Sequence, residues 1–153
     1  MDPIDKKILA LLQEDATLTV NELAGRVGLS PNPCWRRVQR LEADGVIRKR
    51  VTLLNAAALN AGVTVFVAIK TSQHSAAWFK SFSKNVNVIP EVMEFYRMSG
   101  EVDYLLRVVV PDIAAYDAVY KQLIRTPGLS DVSSSFAMEQ IKYTTALPLQ
   151  FIE

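Results

Sequence analysis

Asn32, Arg36, Arg37, Gln39 and Arg40 fall within nine residues of one another, and Arg48, Lys49 and Arg50 follow close behind. Guanidinium groups fork onto phosphate oxygens or onto guanine, and side-chain amides pair with adenine. Ser30 adds a hydroxyl at the mouth of the stretch. From Ser30 to Arg50 there are six basic residues against two acids, a net of +4, in a 153-residue chain with 17 basic and 16 acidic residues. The preceding 29 residues carry a net of −2, and residues 62–153 hold eight basic against nine acidic residues. A local basic segment in a neutral chain points to a polyanion-facing patch. The candidate nucleic-acid contacts are Ser30, Asn32, Arg36, Arg37, Gln39, Arg40, Arg48 and Lys49. A merely solvated arginine face is the competing reading, and the surrounding elements decide between the two.

Those elements are legible from caps and spacing. Asp2 followed by Pro3 is a cap and a first-turn proline, and Ile4, Ile8, Leu9, Leu11 and Leu12 then recur at helical spacing until about Asp15. Thr19-Val20-Asn21-Glu22 is a capping box, opening a short helix with Val20, Leu23, Ala24 and Val27 inward and Gly28 placed to end it. Ser30-Pro31 repeats the cap-then-proline signal, and a third helix runs to about Ala43 before Asp44-Gly45. The last two helices have the spacing of a helix-turn-helix. In the third helix Cys34, Val38 and Leu41 face the core with Trp35 bordering them, which turns Asn32, Arg36, Arg37, Gln39 and Arg40 outward. Val46-Ile47 through Leu53 reads as a strand, a wing beside the recognition helix. A DNA-reading module over residues 1–53 follows.

Composition excludes other classes. The lone Cys34 permits no intrachain disulfide or CxxC metal pair, and its core-facing position suits packing. The lone His74 lies in a loop, with too few soft ligands for a metal site. There is no nucleophile–base pair and no glycine-rich phosphate loop, so neither an enzyme nor a bound cofactor is expected. The longest mainly apolar run, Val63–Ile69, is far short of the roughly 20 residues that span a bilayer, and MDPIDKK lacks the layout of a signal peptide. A cytoplasmic, nucleoid-associated protein is expected.

Residues 54–62 read as a linker or a short helix ending at Gly62. Beyond it, Val63–Ile69 is a β-branched strand, and Ser75–Val86 is an amphipathic helix with Trp78, Phe79, Phe82 and Val86 at helical spacing. Glu91–Ser99 and Glu101–Val110 are two strands joined at Gly100. A helix capped by Asp112 has Ile113, Tyr116, Val119, Tyr120 and Leu123 inward, and Val132–Tyr143 is a final strand. The order βαββαβ gives an α+β, ferredoxin-like domain over residues 63–153. Its helices cover one sheet face, and a second copy of the chain is the expected cover for the other.

Three motifs carry a family resemblance: D-x-x-D-x-x-I-L-x-x-L from Asp2, L-S-x-x-x-C-x-x-R-V-x-R-L-E-x-x-G-V-I from Leu29, and G-E-x-D-Y-L-L from Gly100. Together with SSSFAMEQIK, they resemble the Lrp/AsnC feast/famine transcription regulators over essentially the whole chain. The resemblance implies a winged helix-turn-helix joined to an αβ-sandwich effector domain, a dimer that often assembles to an octamer, and switching by a small amino acid. Carried over by motif, it implies an effector site at Met98, Ser99, Gly100, Asp103 and Tyr104, with Ser133, Ser134, Ser135 and Phe136 across from them. Asp103 would then accept the ammonium group, and the Ser99–Gly100 backbone with the serine hydroxyls would meet the carboxylate. Gly100 equally suits a hairpin turn, Asp103 an ion pair with Arg97, and Tyr104 a core position. The alternative function is a nucleoid-packaging protein that binds DNA without an effector.

Overall fold

The computed structural model describes residues 1–152, and the chain divides into two compact units. The first holds Met1–Leu53 together with the C-terminal segment from Ile141, and the second spans Leu54–Gln140.

In the first unit, α1 (Pro3–Glu14) starts on a reciprocal cap. The Asp2 carboxylate accepts the Asp5 N–H at 2.8 Å, and the Asp5 carboxylate reaches back to the Asp2 N–H. The cap satisfies backbone donors that the first helical turn leaves free. Helix α2 (Val20–Val27) opens on Thr19 and Glu22 in the same way. It ends at Gly28, whose φ of 74° and ψ of 35° are left-handed. Only glycine takes that conformation without steric cost. The chain therefore turns at once into α3 (Pro31–Ala43). Ile8, Leu9, Leu23, Ala24, Val27, Cys34, Val38 and Leu41 close a shared core.

Three expectations for this unit are corrected. Val20 was placed inward but is exposed; it holds the first position of α2 and projects past the packed turns. Ser30 makes no side-chain cap bond. Residues 46–53 form no strand. Ile47 instead donates its N–H to the Leu41 carbonyl and packs on the helical core, and the chain beyond it has no neighbouring strand among the described residues to pair with.

The C-terminal segment is the other departure. Leu149 and Ile152 pack against the helical core. The Gln13 amide grips Leu147 from both sides, accepting its N–H at 2.6 Å and donating to its carbonyl at 3.2 Å. Lys6 Nζ donates to the Ile152 carbonyl at 2.5 Å. One continuous domain over residues 63–153 is thus corrected: the chain leaves the second unit after Gln140, and residue 153 lies outside the described residues.

The second unit follows the expected order, with β1 (Val63–Thr71), α4 (Ala76–Asn87), β2 (Val92–Arg97), β3 (Tyr104–Val110), α5 (Ile113–Leu123) and β4 (Leu129–Phe136). The sheet order is β2-β3-β1-β4, and every pair is antiparallel. Residues 54–62, expected as a linker or short helix, belong to this unit as mostly exposed chain with one 3-10 turn at Ala57–Leu59.

Both central strands alternate between two faces. Val65, Val67 and Ile69 with Leu106, Val108 and Val110 point into the core with Phe82, Val86, Tyr116, Val119 and Leu123 of the helices. Burying each such side chain fully contributes roughly 1.5–3 kcal/mol relative to leaving it in water. Thr64, Phe66 and Ala68 face Val109, Arg107 and Leu105 on the opposite side. Ile113, expected inward, is 70% exposed at the first position of α5. The final strand ends at Phe136, not Tyr143, because its partner runs out: β1 begins at Val63, and the last bond is from the Ala137 N–H to the Thr64 carbonyl. Met138 and Ile141, inside the expected strand, stand in solvent.

Candidate nucleic-acid interface and effector region

Helix α3 is held against rolling by two independent sets of contacts. Cys34, Val38 and Leu41 are buried in the helical core. Burial also pushes the Cys34 thiol up from its ordinary pKa, which keeps it protonated and poorly nucleophilic. On an adjoining side, Arg37 and Arg40 reach the start of α1. Arg37 bonds Asp2 at 2.5 Å and Asp5 at 2.8 Å, and Arg40 bonds the other Asp5 oxygen at 2.6 Å. Asp5 is only 1% exposed, so this carboxylate lives almost wholly inside the cluster. The Asp5 N–H, and after it the Arg37 guanidinium, hold the Asp2 carboxyl below its ordinary range. Asp2 and then Asp5 raise Arg37 further.

This corrects the even outward fan of five polar side chains. Asn32, Arg36 and Gln39 face solvent as expected. Arg37 is partly buried and Arg40, though exposed, is ion-paired, so both are engaged with α1. Helical spacing alone could not foresee this, because the partners lie 32 to 35 residues away in sequence. The exposed stripe also holds Trp35, expected at the border of the core and 51% exposed. Its position three residues after Asn32 and four before Gln39 was the available signal.

Around α3, Ser30, Arg48 and Lys49 are exposed. Gln39 donates to the Glu42 carboxylate at 2.9 Å, and Arg50 pairs with the same group at 3.0 Å. Arg36, Arg48 and Lys49 form no ion pair among the described residues. These three cations, with Asn32 and Ser30, are free to meet a polyanion. A helix presenting them beside a second, shorter helix is the arrangement that places the recognition helix in the major groove.

The nine residues named for an effector lie on three surfaces of the second unit. Met98, Ser99 and Gly100 form the exposed β2–β3 turn, where Gly100 has φ of 111°. Asp103 ties the sheet together beside that turn. Its carboxylate accepts the Thr71 N–H at 2.8 Å, its own N–H donates to the Ile69 carbonyl, and its carbonyl accepts the Met98 N–H. The Thr71 hydroxyl in turn donates to the Gly128 carbonyl at 2.7 Å, which links this corner to the start of β4. The open ion pair considered between Asp103 and Arg97 does not form.

Tyr104 is buried among Trp78, Phe79, Phe82 and Phe95, so it is a core residue. The Ser134 hydroxyl shares a short hydrogen bond with the Tyr116 hydroxyl, and Phe136 meets Tyr116 edge-on at 5.3 Å. Both therefore sit on the helix side of the sheet. Ser133 and Ser135 pair with Ala68 and Phe66 on the opposite face. What remains accessible at the corner is the turn backbone, Met98 and the outer side of Asp103.

The N-terminal 48 residues match a winged helix-turn-helix DNA-binding family model, and residues 64–147 match the Lrp/AsnC ligand binding domain. The chain belongs to the Lrp/AsnC family. Among curated relatives, it is 53% identical over 151 residues to the DNA-binding transcriptional activator DecR of Escherichia coli strain K12, covering 98% of this chain and 99% of that protein. A crystal structure of an AsnC family transcriptional regulator from Agrobacterium tumefaciens superposes with a TM-score of 0.96 at 63% identity, covering all of both chains. A transcriptional regulator from Neisseria meningitidis, solved as an L-Met complex, gives a TM-score of 0.93 at 38% identity over 98% of this chain and 97% of that one. This Lrp/AsnC protein is a DNA-binding transcriptional regulator, and α2 and α3 lie within its matched helix-turn-helix. No helix among the described residues is long and apolar enough to cross a membrane.

Proposed function

We propose that the second unit binds a small amino acid, and that its occupancy shifts the assembly or DNA affinity of the regulator. The observation that carries this reading is the corner at Gly100 and Asp103. There, a carboxylate that could take an ammonium group stands beside a turn with φ of 111°, whose backbone a ligand carboxylate can approach. The ligand-binding family model over this unit, and the L-Met bound to the Neisseria regulator, support the same assignment. Ser133 and Ser135 lie on β4, with β1 between it and β3, so their part in the site would come through a neighbouring copy. The open sheet face, with Phe66, Ala68, Leu105 and Val109 uncovered by helices, is the surface a second copy would bury in a homodimer. An octamer built as a tetramer of dimers would bring the corners of neighbouring dimers together. The working compartment is the cytoplasm, where the nucleoid lies.

A thermal-shift screen against the twenty amino acids, run beside light scattering, tests the reading. A ligand at 100 times its dissociation constant raises stability by about 2.7 kcal/mol. A selective shift accompanied by a change in particle mass is the expected result. A flat screen at millimolar ligand refutes amino-acid sensing and favours a ligand-independent regulator or one with an effector of another class.

A further inference from the structure

We propose that Trp35 reads sequence, with its indole lying in the major groove against thymine methyl groups. The proposal rests on α3 being the recognition helix. Trp35 is in the second turn of α3, and the N-terminal residues of a recognition helix are the ones that reach base edges. Its roll is fixed from both sides, by Cys34, Val38 and Leu41 in the core and by the Arg37 and Arg40 pairs to α1. Those constraints leave the indole 51% exposed between Asn32 and Gln39, beside Arg36.

Nothing inside the protein accounts for it there. Trp35 makes no ring contact or hydrogen bond among the described residues. Trp78, the other tryptophan, stacks on Phe82 and donates its ring N–H to the Pro127 carbonyl. Pro31 and Pro33 are also exposed, so the first two turns of α3 present apolar surface around one amide and one guanidinium. Thymine is the base whose major-groove edge offers an apolar group, and an amide pairs with adenine. Asn32 and Trp35 together therefore suit A·T pairs, with Arg36 directed to a neighbouring guanine or phosphate.

The test uses the full-length protein and a duplex it selects from a random 30-base-pair pool, with a scrambled duplex of equal composition as reference. Trp35→Ala should bind the selected duplex roughly tenfold more weakly, the scale of one misread base pair. Its binding to the scrambled duplex and its salt dependence should not change. Replacing thymines in the selected duplex with deoxyuridine removes only the methyl groups. That should weaken wild type about fourfold per contacted methyl and leave Trp35→Ala indifferent, with Trp35→Phe in between.

Circular dichroism and light scattering of each variant separate reading from folding and assembly. The proposal is overturned by equal losses on both duplexes, by a deoxyuridine penalty that persists in Trp35→Ala, or by a changed particle mass. A wild-type protein that enriches no sequence overturns sequence reading by α3 as a whole. An enriched sequence to which Trp35 is indifferent overturns only the role of the indole.

Discussion

Replacing Asp5 with alanine should cost more than replacing Arg40, the more exposed of the two arginines it holds. Asp5 is 1% exposed and takes one bond from each guanidinium, at 2.8 and 2.6 Å. A hydrogen bond to a charged group contributes about 1.5–3 kcal/mol, and the Arg37 bond belongs in that range because Arg37 is largely covered. The Arg40 side chain is 52% exposed, so its bond is screened and contributes up to about 1 kcal/mol. Asp5→Ala therefore costs about 3 kcal/mol, while Arg40→Ala, which leaves Asp5 held by Arg37, costs about 1 kcal/mol.

Whole-chain unfolding would blend two units, so hydrogen exchange of peptides from α1 and α3 is the suitable assay. Exchange there should accelerate roughly a hundredfold in Asp5→Ala and about fivefold in Arg40→Ala, at about 1.4 kcal/mol per factor of ten, with the second unit unchanged. DNA affinity should fall in Asp5→Ala although no DNA contact has been removed. Equal acceleration in the two variants, or none in Asp5→Ala, would refute the view that this carboxylate fixes the recognition helix.

Further outcomes follow from the same geometry. Arg36→Ala should weaken DNA binding across all sequences if Arg36 meets phosphate, lowering the salt slope by about one unit in filter binding or fluorescence anisotropy, while hydrogen exchange in α3 stays as in wild type. Gly100→Val forces a β-branched residue to φ of 111°. It should abolish the thermal shift with the cognate amino acid while basal DNA binding persists, and an unchanged titration would remove the Gly100 corner as the site. For pH, the lowered Asp2 carboxyl stabilises the first unit fully above its ordinary carboxylate range, and that contribution is lost as pH falls through the lowered folded value. Exchange in α1 should accelerate below about pH 4, and Asp2→Asn should flatten this acid limb. Phe82→Ala, at a fully buried position under the sheet, should cost about 3–5 kcal/mol in the second unit, measured by exchange in β1 and β3.

Local order was open to reading from the chain alone. Caps at Asp2, Thr19 and Asp112, the left-handed Gly28, and the alternation in Val63–Ile69 and Tyr104–Val110 each act within a few residues. They therefore specified helices, strands and the βαββαβ order before any tertiary contact was known. The basic character of residues 30–50 was likewise a property of composition. Whether each cation is free to meet DNA depended on partners distant in sequence. Arg37 and Arg40 are claimed by Asp2 and Asp5 of α1, and Trp35 emerges on the stripe they vacate. The length of β4 was set by where β1 stops, and the burial of Tyr104 by four aromatic rings from α4 and β2. The C-terminal segment could be placed only by its grip on Gln13 and Lys6. Short-range backbone physics determined the elements. Side-chain pairing within each folded unit decided which functional groups remained available, because ion pairs and packing compete for the same side chains that a ligand or DNA would use.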